Sequence, residues 1–373
     1  MNIVLKKKNK IEFTKLDILM LLYFITFGVR MLTDISFNIM TALWFMVGIV
    51  IFAFAYAIYP RYRKPLLALF IVDMLALVGL YMTGGHNPMN AFILVSTQAL
   101  GILIYERRKN LGILEVVTLF MVFYLAYEVV TTPKVLINSW QYGIILSKLV
   151  LQNTVSILLI LFLSLHFIRC YENKKNVNYV YFFVAFVTAV ICDGMGGILT
   201  LALYMGGIWL VNHKANKLRT GRLFFVVMVC LIGITAVNGW SILFEKLTDD
   251  NGRFYIWSNY FWCIDSLKDL VFGADVSRVE FLARARNMHN TFINWHYNYG
   301  LIPTLFFLYM MVQNVVYSIK TKNFVFLLIL GVTGVRAMTD ETGYCFMVLW
   351  TYIWIYAKEH TYRMRSANNT EKG

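Results

Sequence analysis

The chain has 373 residues, of which 59% are hydrophobic and only 14% are charged, and its mean hydropathy is +0.63. A soluble globular domain carries about 25% charged residues, so the composition excludes an ordinary soluble protein. The net charge of +14 could indicate nucleic-acid binding, but the basic residues lie in short connections between apolar segments, which argues against that function.

Twelve apolar segments follow one another along the chain. A segment of ~20 largely apolar residues crosses ~30 Å of hydrocarbon. The candidates are 16–33, 38–59, 66–83, 90–105, 111–130, 149–168, 179–192, 195–211, 222–240, 298–319, 324–339 and 344–357. The seventh, eighth and twelfth are short, and we expect them to tilt, to thin the bilayer or to pack as a partly re-entrant pair. The sequence therefore predicts an all-α polytopic membrane protein with about 12 transmembrane helices.

One long polar insertion divides the chain into nine spans and three. The predicted parts are an N-terminal bundle (1–240), the insertion (241–297), the C-terminal transmembrane helices (298–357) and a tail (358–373). Most of the 34 Lys and Arg residues lie in the two tails and in alternate connections, whereas the turns at 34–38, 84–89 and 193–196 carry none. Because basic connections stay in the cytoplasm, both termini are predicted to be cytoplasmic. The insertion becomes a large extracytoplasmic loop between spans 9 and 10.

The insertion begins with an aromatic segment and ends with a polar one. Residues 253–262 suit a helix at the membrane interface, and residues 265–273 are predicted to end it, with Gly273 as the C-terminal stop. Residues 285–299 are predicted to form one helix that leads into span ten. Its spacing places five side chains on one face, namely Arg286, His289, Asn290, Ile293 and His296.

Such a stripe of cation, imidazole and amide is costly at a membrane edge unless it binds something anionic or polar. The alternative is an interfacial helix whose histidines bond backbone carbonyls, and we expect this of His296. Three aromatic residues, Phe292, Trp295 and Tyr299, line another face of the same predicted helix.

Arg253 is the first candidate for binding phosphate, since a guanidinium is always charged and can grip two oxygens at once. Arg278, Arg284 and Arg286 are predicted to add charge to the same pocket. The competing interpretation stacks Arg253 on Trp257 or pairs it with an acidic residue among 245–250.

A glycine-rich turn, 192–197, lies between spans seven and eight. Gly196 and Gly197 let the backbone approach a ligand closely, and the N-terminus of span eight offers free N–H groups to an anion. Helix packing through small residues is an equally weighted alternative. Arg30 and Arg336, near the outer ends of their spans, are expected to join the same pocket, and Asp340 and Glu341 in the last outer turn are expected to pair with them.

Motifs for metal or nucleotide binding are missing from the sequence. There is no phosphate-binding loop, Rossmann glycine pattern, His-Glu-x-x-His or Asp-x-Asp. The five cysteines lack metal-ligand spacing and are interpreted as packing residues, with a Cys192–Cys263 or Cys263–Cys345 bridge as the alternative. We expect no metal and no cofactor. A transfer reaction outside the membrane then needs a pre-activated donor, and a lipid pyrophosphate clamped by arginines meets that need.

These motifs carry a family resemblance. A late outer loop with Gly-Arg…Ile-Trp at its start and His-Asn-Thr-Phe…Tyr-Gly-Leu-Ile at its end resembles the O-antigen ligase and Wzy-type polysaccharide polymerase superfamily. The matching positions are Gly252, Arg253, Ile256, Trp257, His289, Asn290, Thr291, Phe292, Gly300 and Ile302. Gly196-Gly197-Ile-Leu is similar to the tail of the family's Ser-Arg-Gly-Gly turn. Here Gly194-Met195 replaces Ser-Arg, and Arg284, Arg286 or Arg336 is needed to substitute for the missing arginine.

The resemblance implies a GT-C-like glycosyltransferase in the bacterial cytoplasmic (inner) membrane. It would join repeat units carried on undecaprenyl pyrophosphate into a capsule, O-antigen or exopolysaccharide. It would work beside a flippase and a chain-length regulator, and without nucleic acid.

The resemblance also implies roles for single residues. Arg253, with Arg284 or Arg286, would hold the donor pyrophosphate, and His289 would accept the proton of the attacking sugar hydroxyl. Asn290 would orient His289 or bond sugar. Aromatic side chains would stack on sugars, namely Trp257, Trp262 and Trp295.

Three other functions compete with this interpretation. A ligase that transfers a finished glycan to another acceptor uses the same chemistry. A flippase or transporter predicts charges near the bilayer midplane in a pseudo-symmetric core, which the charge distribution does not favour. A membrane acyltransferase needs inward access to an acyl donor.

Overall fold

The computed structural model describes residues 14–32, 37–58, 60–83, 89–108, 111–131, 152–192, 195–213, 252–285, 288–340 and 342–370. These ranges are helical and contain no strand. The N-terminal helices are α1 (Lys15–Leu32), α2 (Phe37–Ile58), α3 (Arg63–Thr83), α4 (Met89–Glu106), α5 (Gly112–Thr131), α6 (Gln152–Glu172), α7 (Tyr179–Ile191) and α8 (Met195–His213). The later helices are α9 (Arg253–Trp262), α10 (Leu267–Phe272), α11 (Glu280–Ala285), α12 (Thr291–Tyr299), α13 (Leu301–Lys320), α14 (Phe324–Thr339) and α15 (Gly343–Thr370).

The predicted spans that fall in the described ranges each coincide with a helix. Four stretches are long and apolar enough to cross a membrane, namely Ile39–Ile58, Gly112–Thr131, Thr154–Glu172 and Leu301–Lys320. Shorter apolar helices accompany them, including α7 and α14. The apolar helices indicate a multi-pass membrane protein. The predicted span 222–240 lies outside the described residues.

Helix α6 lies at the centre of the bundle. It packs against α5, α7, α8, α14 and α15, and 83% of its apolar stretch is buried. The peripheral helices α2, α5 and α13 instead expose large apolar side chains, for example Ile39, Val116 and Val312. Apolar surface of this extent is typical of a face that contacts lipid or another protein.

The long last helix, α15, packs closely against α4. A Cβ atom on Gly101 would lie 2.5 Å from the carbonyl oxygen of Val348, so only glycine permits this approach. Helix α15 also continues to Thr370, so it extends past residue 357, where span twelve is predicted to end, into the predicted tail. Polar contacts hold this extension in place, because Glu359 accepts a hydrogen bond from Tyr62 and pairs with Arg363.

The two ends of the bundle carry different groups. The start of α1 and the ends of α4 and α6 lie at one end of the bundle. At this end Arg107 pairs with Asp17 at 2.7 Å. The opposite end carries the start of α8, the end of α14 and the described part of the insertion. Because successive helices alternate in direction, the turn at Gly196, the end of α14 and helix α12 meet at this second end.

The insertion forms a small core of its own beside the bundle. Its buried residues are Ile256, Tyr260, Cys263, Ala274, Val276, Leu282, Met288 and Tyr297. Helices α10 and α12 pack against α3, which fixes this unit to the bundle. Gly273 ends α10 with a left-handed backbone, φ 102°, as its sequence position predicts.

Candidate functional site

The polar segment before span ten is broken at Asn290. The side-chain oxygen of Asn290 accepts the N–H groups of Phe292 at 2.9 Å and Ile293 at 3.2 Å, so α12 begins at Thr291. The predicted single helix over 285–299 is therefore wrong, and the five-residue polar stripe does not form. The cause is local, since an asparagine satisfies the first N–H groups of a helix better than it continues one.

His289 precedes this cap and lies outside the helix. Its backbone has φ 47°, in the left-handed region that costs a non-glycine residue about 1–2 kcal/mol. Its side chain is about a third exposed. Backbone strain of this kind concentrates at functional sites, where the surroundings hold it in place.

His296 faces a different part of the insertion. Its Nδ1 lies 2.6 Å from the Tyr260 hydroxyl, and its Nε2 lies 2.7 Å from the carbonyl oxygen of Leu270. Burial lowers the pKa of His296, while the hydrogen bond to Leu270 opposes the shift. The expected carbonyl-bonded role of His296 is confirmed, and this histidine ties α12 to α9 and α10.

Arg336 is fully buried near the end of α14. Its guanidinium donates to the Thr339 hydroxyl at 3.1 Å and to the Ser156 hydroxyl at 3.4 Å, and it pairs with Asp340 at 3.3 Å. Of the expected pairings, the one between Arg336 and Asp340 is present, whereas the Arg30 side chain and Glu341 lie outside the described part of the chain. A buried charge of this kind requires a counter-ion or a polar ligand.

Gly196 provides the space for this guanidinium. A Cβ atom at Gly196 would lie 2.9 Å from Nη1 of Arg336, closer than ordinary van der Waals contact. A Cβ atom at Gly197 would instead lie 2.4 Å from Cβ of Ser156, so Gly197 permits α8 to pack on α6. Of the two glycines, Gly196 borders the arginine and Gly197 serves helix packing. Arg336 thus lies beside the first described turn of α8.

Asp340 joins Arg336 to His289. Its Oδ1 lies 3.7 Å from Nδ1 of His289, and its Oδ2 faces Arg336. Its carbonyl oxygen accepts a hydrogen bond from Thr291 at 2.8 Å, which holds the start of α12 against the end of α14. The sequence indicated Asp340 as a partner for Arg336 but gave no signal that it also faces His289. The proximity of Asp340 to His289 depends on how the start of α12 packs against the end of α14.

Arg253 adds a second cation to this place. It is half-buried at the first turn of α9, and its positive charge acts on the Arg336 guanidinium as a neighbouring like charge. No ion pair or hydrogen bond of the Arg253 guanidinium occurs among the residues that the structure describes. The acidic residues of 245–250 lie outside the described ranges. We call Arg253, His289, Arg336 and Asp340 the Arg336 cluster.

Asn290 is close to the Arg336 cluster, but its side chain forms hydrogen bonds with backbone groups of α12 and α14. Its oxygen caps α12, and its Nδ2 donates to the carbonyl oxygen of Met338 at 3.2 Å. The two remaining predicted arginines are not placed by the structure: Arg284 lies on α11 with its side chain outside the description, and Arg286 is not described.

The aromatic candidates differ in their exposure. Trp257 donates from Nε1 to the carbonyl oxygen of Met288 at 2.8 Å, which anchors the residue before His289. Trp262 is 70% exposed. Trp295 is only 2% exposed and packs its ring against Phe307 and Trp350, so its predicted stacking on sugar is wrong.

Comparisons with known proteins leave this geometry without a counterpart. No family model, no curated protein and no solved structure matches the chain. The family resemblance rests on the sequence motifs quoted above.

The described residues show neither a metal site nor a disulfide bridge. The described part of the chain holds no group of three His, Cys, Asp or Glu side chains that could bind a metal ion. Cys170, Cys192, Cys263 and Cys345 are free, so neither of the two alternative disulfide bridges is present.

Proposed function

We propose that this chain is a membrane glycosyltransferase that polymerises oligosaccharide repeat units carried on undecaprenyl pyrophosphate. The observation that carries the proposal is the Arg336 cluster, where Arg336, Asp340 and His289 lie together at one end of an apolar helical bundle and the charge of Arg253 acts on Arg336. Two cations against one anion leave excess positive charge, which suits a diphosphate. The adjacent imidazole supplies a nitrogen that can accept a proton from a sugar hydroxyl.

Arg253 and Arg336 have different roles in the proposed reaction. Arg253 has no described partner and is available to grip donor pyrophosphate oxygens, while Arg336 is fixed by Thr339, Ser156 and Asp340 and adds charge behind it. As the bond between the anomeric carbon and the pyrophosphate oxygen breaks, negative charge grows on the leaving group. Fixed cations stabilise this charge without reorganising.

His289 is placed to take the proton. A hydroxyl of the acceptor sugar attacks the anomeric carbon, its proton passes to Nε2 of His289, and undecaprenyl pyrophosphate leaves. Nδ1 faces Asp340 at 3.7 Å, so the imidazolium that forms lies beside a carboxylate. Asp340 therefore acts as a positioning residue that keeps a negative charge beside His289. Attack from the side opposite the pyrophosphate inverts the anomeric configuration.

The proposal extends to the setting of the enzyme. We infer about 12 spans in a GT-C-like arrangement, a bacterial cytoplasmic membrane, cytoplasmic termini and an Arg336 cluster on the outer face. The donor and acceptor lipids enter laterally from the bilayer, and a flippase and a chain-length regulator are the expected partners. No nucleic acid, metal or cofactor takes part.

The test uses the full chain in liposomes supplied with a polyprenyl-pyrophosphate-linked repeat unit. Wild-type protein is expected to produce a ladder of longer lipid-linked glycans and to release polyprenyl pyrophosphate. Arg253→Lys should shorten or abolish the ladder, since ammonium cannot grip two oxygens in one plane. Arg278→Lys is the matched control, because Arg278 lies in the same insertion and pairs with Asp265. Transport of the lipid without any covalent change would instead identify a flippase.

A further inference from the structure

A second cavity lies at the end of the bundle opposite the Arg336 cluster. It has a volume of about 680 Å³ and lies between the start of α3, the second half of α13 and the polar part of α15. Each of the three helices contributes one lysine, namely Lys64, Lys320 and Lys358. No carboxylate lines the cavity among the residues that the structure describes. Three cations that converge on one cavity indicate an anionic ligand.

Polar and aromatic side chains surround these lysines. Nζ of Lys358 lies 5.4 Å from the centre of the Trp354 ring, and Nε1 of Trp354 donates to Gln313 at 3.1 Å. Tyr317 and Tyr362 complete this rim. Lys320 is the last residue of the stretch Leu301–Lys320, which is long and apolar enough to cross a membrane, so these lysines lie at the end of a candidate span, where basic residues meet headgroup phosphates.

The inner wall of the cavity is apolar. Val312 and Val316 lie on α13 one to two turns before Lys320, and both are exposed, at 60% and 42%. Ala357 completes this wall from α15. Cations at one end and an open aliphatic surface at the other match a headgroup joined to an acyl chain.

The nearest carboxylate on α15 is engaged elsewhere. Glu359 accepts a hydrogen bond from Tyr62 at 2.8 Å and pairs with Arg363 and Arg108. Its side chain is 3% exposed. The positive charge of the cavity is therefore not cancelled by the residue that follows Lys358.

We propose that this cavity binds the phosphodiester headgroup of an anionic glycerophospholipid, with an acyl chain lying along Val312 and Val316. The lysines supply point charges to the phosphate, and the amide and hydroxyl groups of Gln313 and Tyr362 face the glycerol side. The site is independent of glycan transfer, because it requires only that the chain lies in a bilayer.

The experiment titrates the full chain in detergent with dioleoylphosphatidylglycerol and counts bound lipid by native mass spectrometry. Phosphatidylcholine and inorganic phosphate are titrated in parallel. Phosphatidylglycerol is expected to bind at one preferred site, with phosphatidylcholine weaker by at least tenfold. Replacement of Lys320 or Lys358 by Gln should weaken binding about fivefold each, which corresponds to about 1 kcal/mol per basic residue.

Matched variants separate charge from folding. Lys320→Arg keeps the charge and should keep most of the affinity, whereas Lys268→Gln removes an exposed lysine of α10 and should change nothing. All of these lysines are at least partly exposed, and an unchanged elution volume confirms the fold of each variant. Equal binding of phosphatidylcholine, undiminished binding by the double variant Lys320→Gln/Lys358→Gln, or displacement of the lipid by millimolar inorganic phosphate would overturn the assignment.

Discussion

Gly196→Ala is a minimal perturbation of the Arg336 cluster. The added methyl carbon would lie 2.9 Å from Nη1 of Arg336, whereas ordinary contact begins near ~3.5 Å, so the guanidinium must move by about 0.6 Å. A movement of that size along its bond to Thr339 stretches the 3.1 Å distance to about 3.7 Å, beyond a hydrogen bond. Because Arg336 is fully buried, it has no solvent into which it can swing.

The energetic consequence has two opposing parts. A lost hydrogen bond to a charged group costs about 1.5–3 kcal/mol. Alanine in place of a helical glycine contributes about 0.5–1 kcal/mol in the other direction. The free energy of unfolding should therefore fall by about 1–2 kcal/mol, the difference between these two effects. The proposed transferase activity should fall further, at least tenfold, because misplacement of a catalytic group by ~1 Å can cost ~100-fold.

Gly206→Ala is the matched control in the same helix. No atom lies within 4 Å of a Cβ at Gly206, so this variant gains helix stability without touching the cluster. Thermal unfolding followed by size-exclusion chromatography measures stability, and glycan ladder length measures activity. If Gly196→Ala polymerises at the wild-type rate and unfolds no earlier than Gly206→Ala, the steric argument is refuted.

Three further predictions address single charges. Arg253→Lys should reduce polymer formation by ~100-fold, as expected for the loss of a preorganised hydrogen-bond donor, while membrane insertion stays intact. If the glycan ladder of Arg253→Lys equals that of the control Arg278→Lys, a bidentate clamp is ruled out. Asp340→Asn should lower the free energy of unfolding by about 3–5 kcal/mol, because Arg336 loses its buried counter-ion. A Tm equal to that of the wild type would show that this ion pair does not contribute to stability. Since burial lowers the pKa of His296, the unfolded state binds its proton more readily, so stability should be complete above pH ~6.5 and decline as the pH falls below it. Replacement of His296 by Gln should remove this decline from a series of Tm measurements between pH 8 and pH 5, and a variant with the same acid sensitivity would refute the assignment.

The positions of the helices could be predicted from the sequence because apolar length alone determines them. Each predicted span within the described ranges corresponds to a helix, from α1 to α15. The pair between Arg336 and Asp340 could also be predicted, since residues four apart on a helix face each other. Helical periodicity is therefore a sound guide to local relations in this chain.

The site could be predicted only in part, because side-chain capping and tertiary docking decide it. Periodicity placed His289 and Asn290 on one helix, but the asparagine side chain bonds the N–H groups that a continuous helix would have paired internally. The burial of Trp295 depends on the approach of α13 and α15, which lie far along the chain. The nearness of Gly196 to Arg336 depends on how α8 meets α14, and no local pattern encodes that meeting.

His289→Ala tests the central claim most directly. Full-length protein in liposomes is supplied with the lipid-linked repeat unit, and two quantities are measured: binding of the pyrophosphate-linked donor and formation of longer glycans. The variant is expected to bind the donor as tightly as wild type, because the arginines remain, but to leave single repeat units on lipid. Polymerisation at the wild-type rate without this imidazole would contradict the proposed proton transfer.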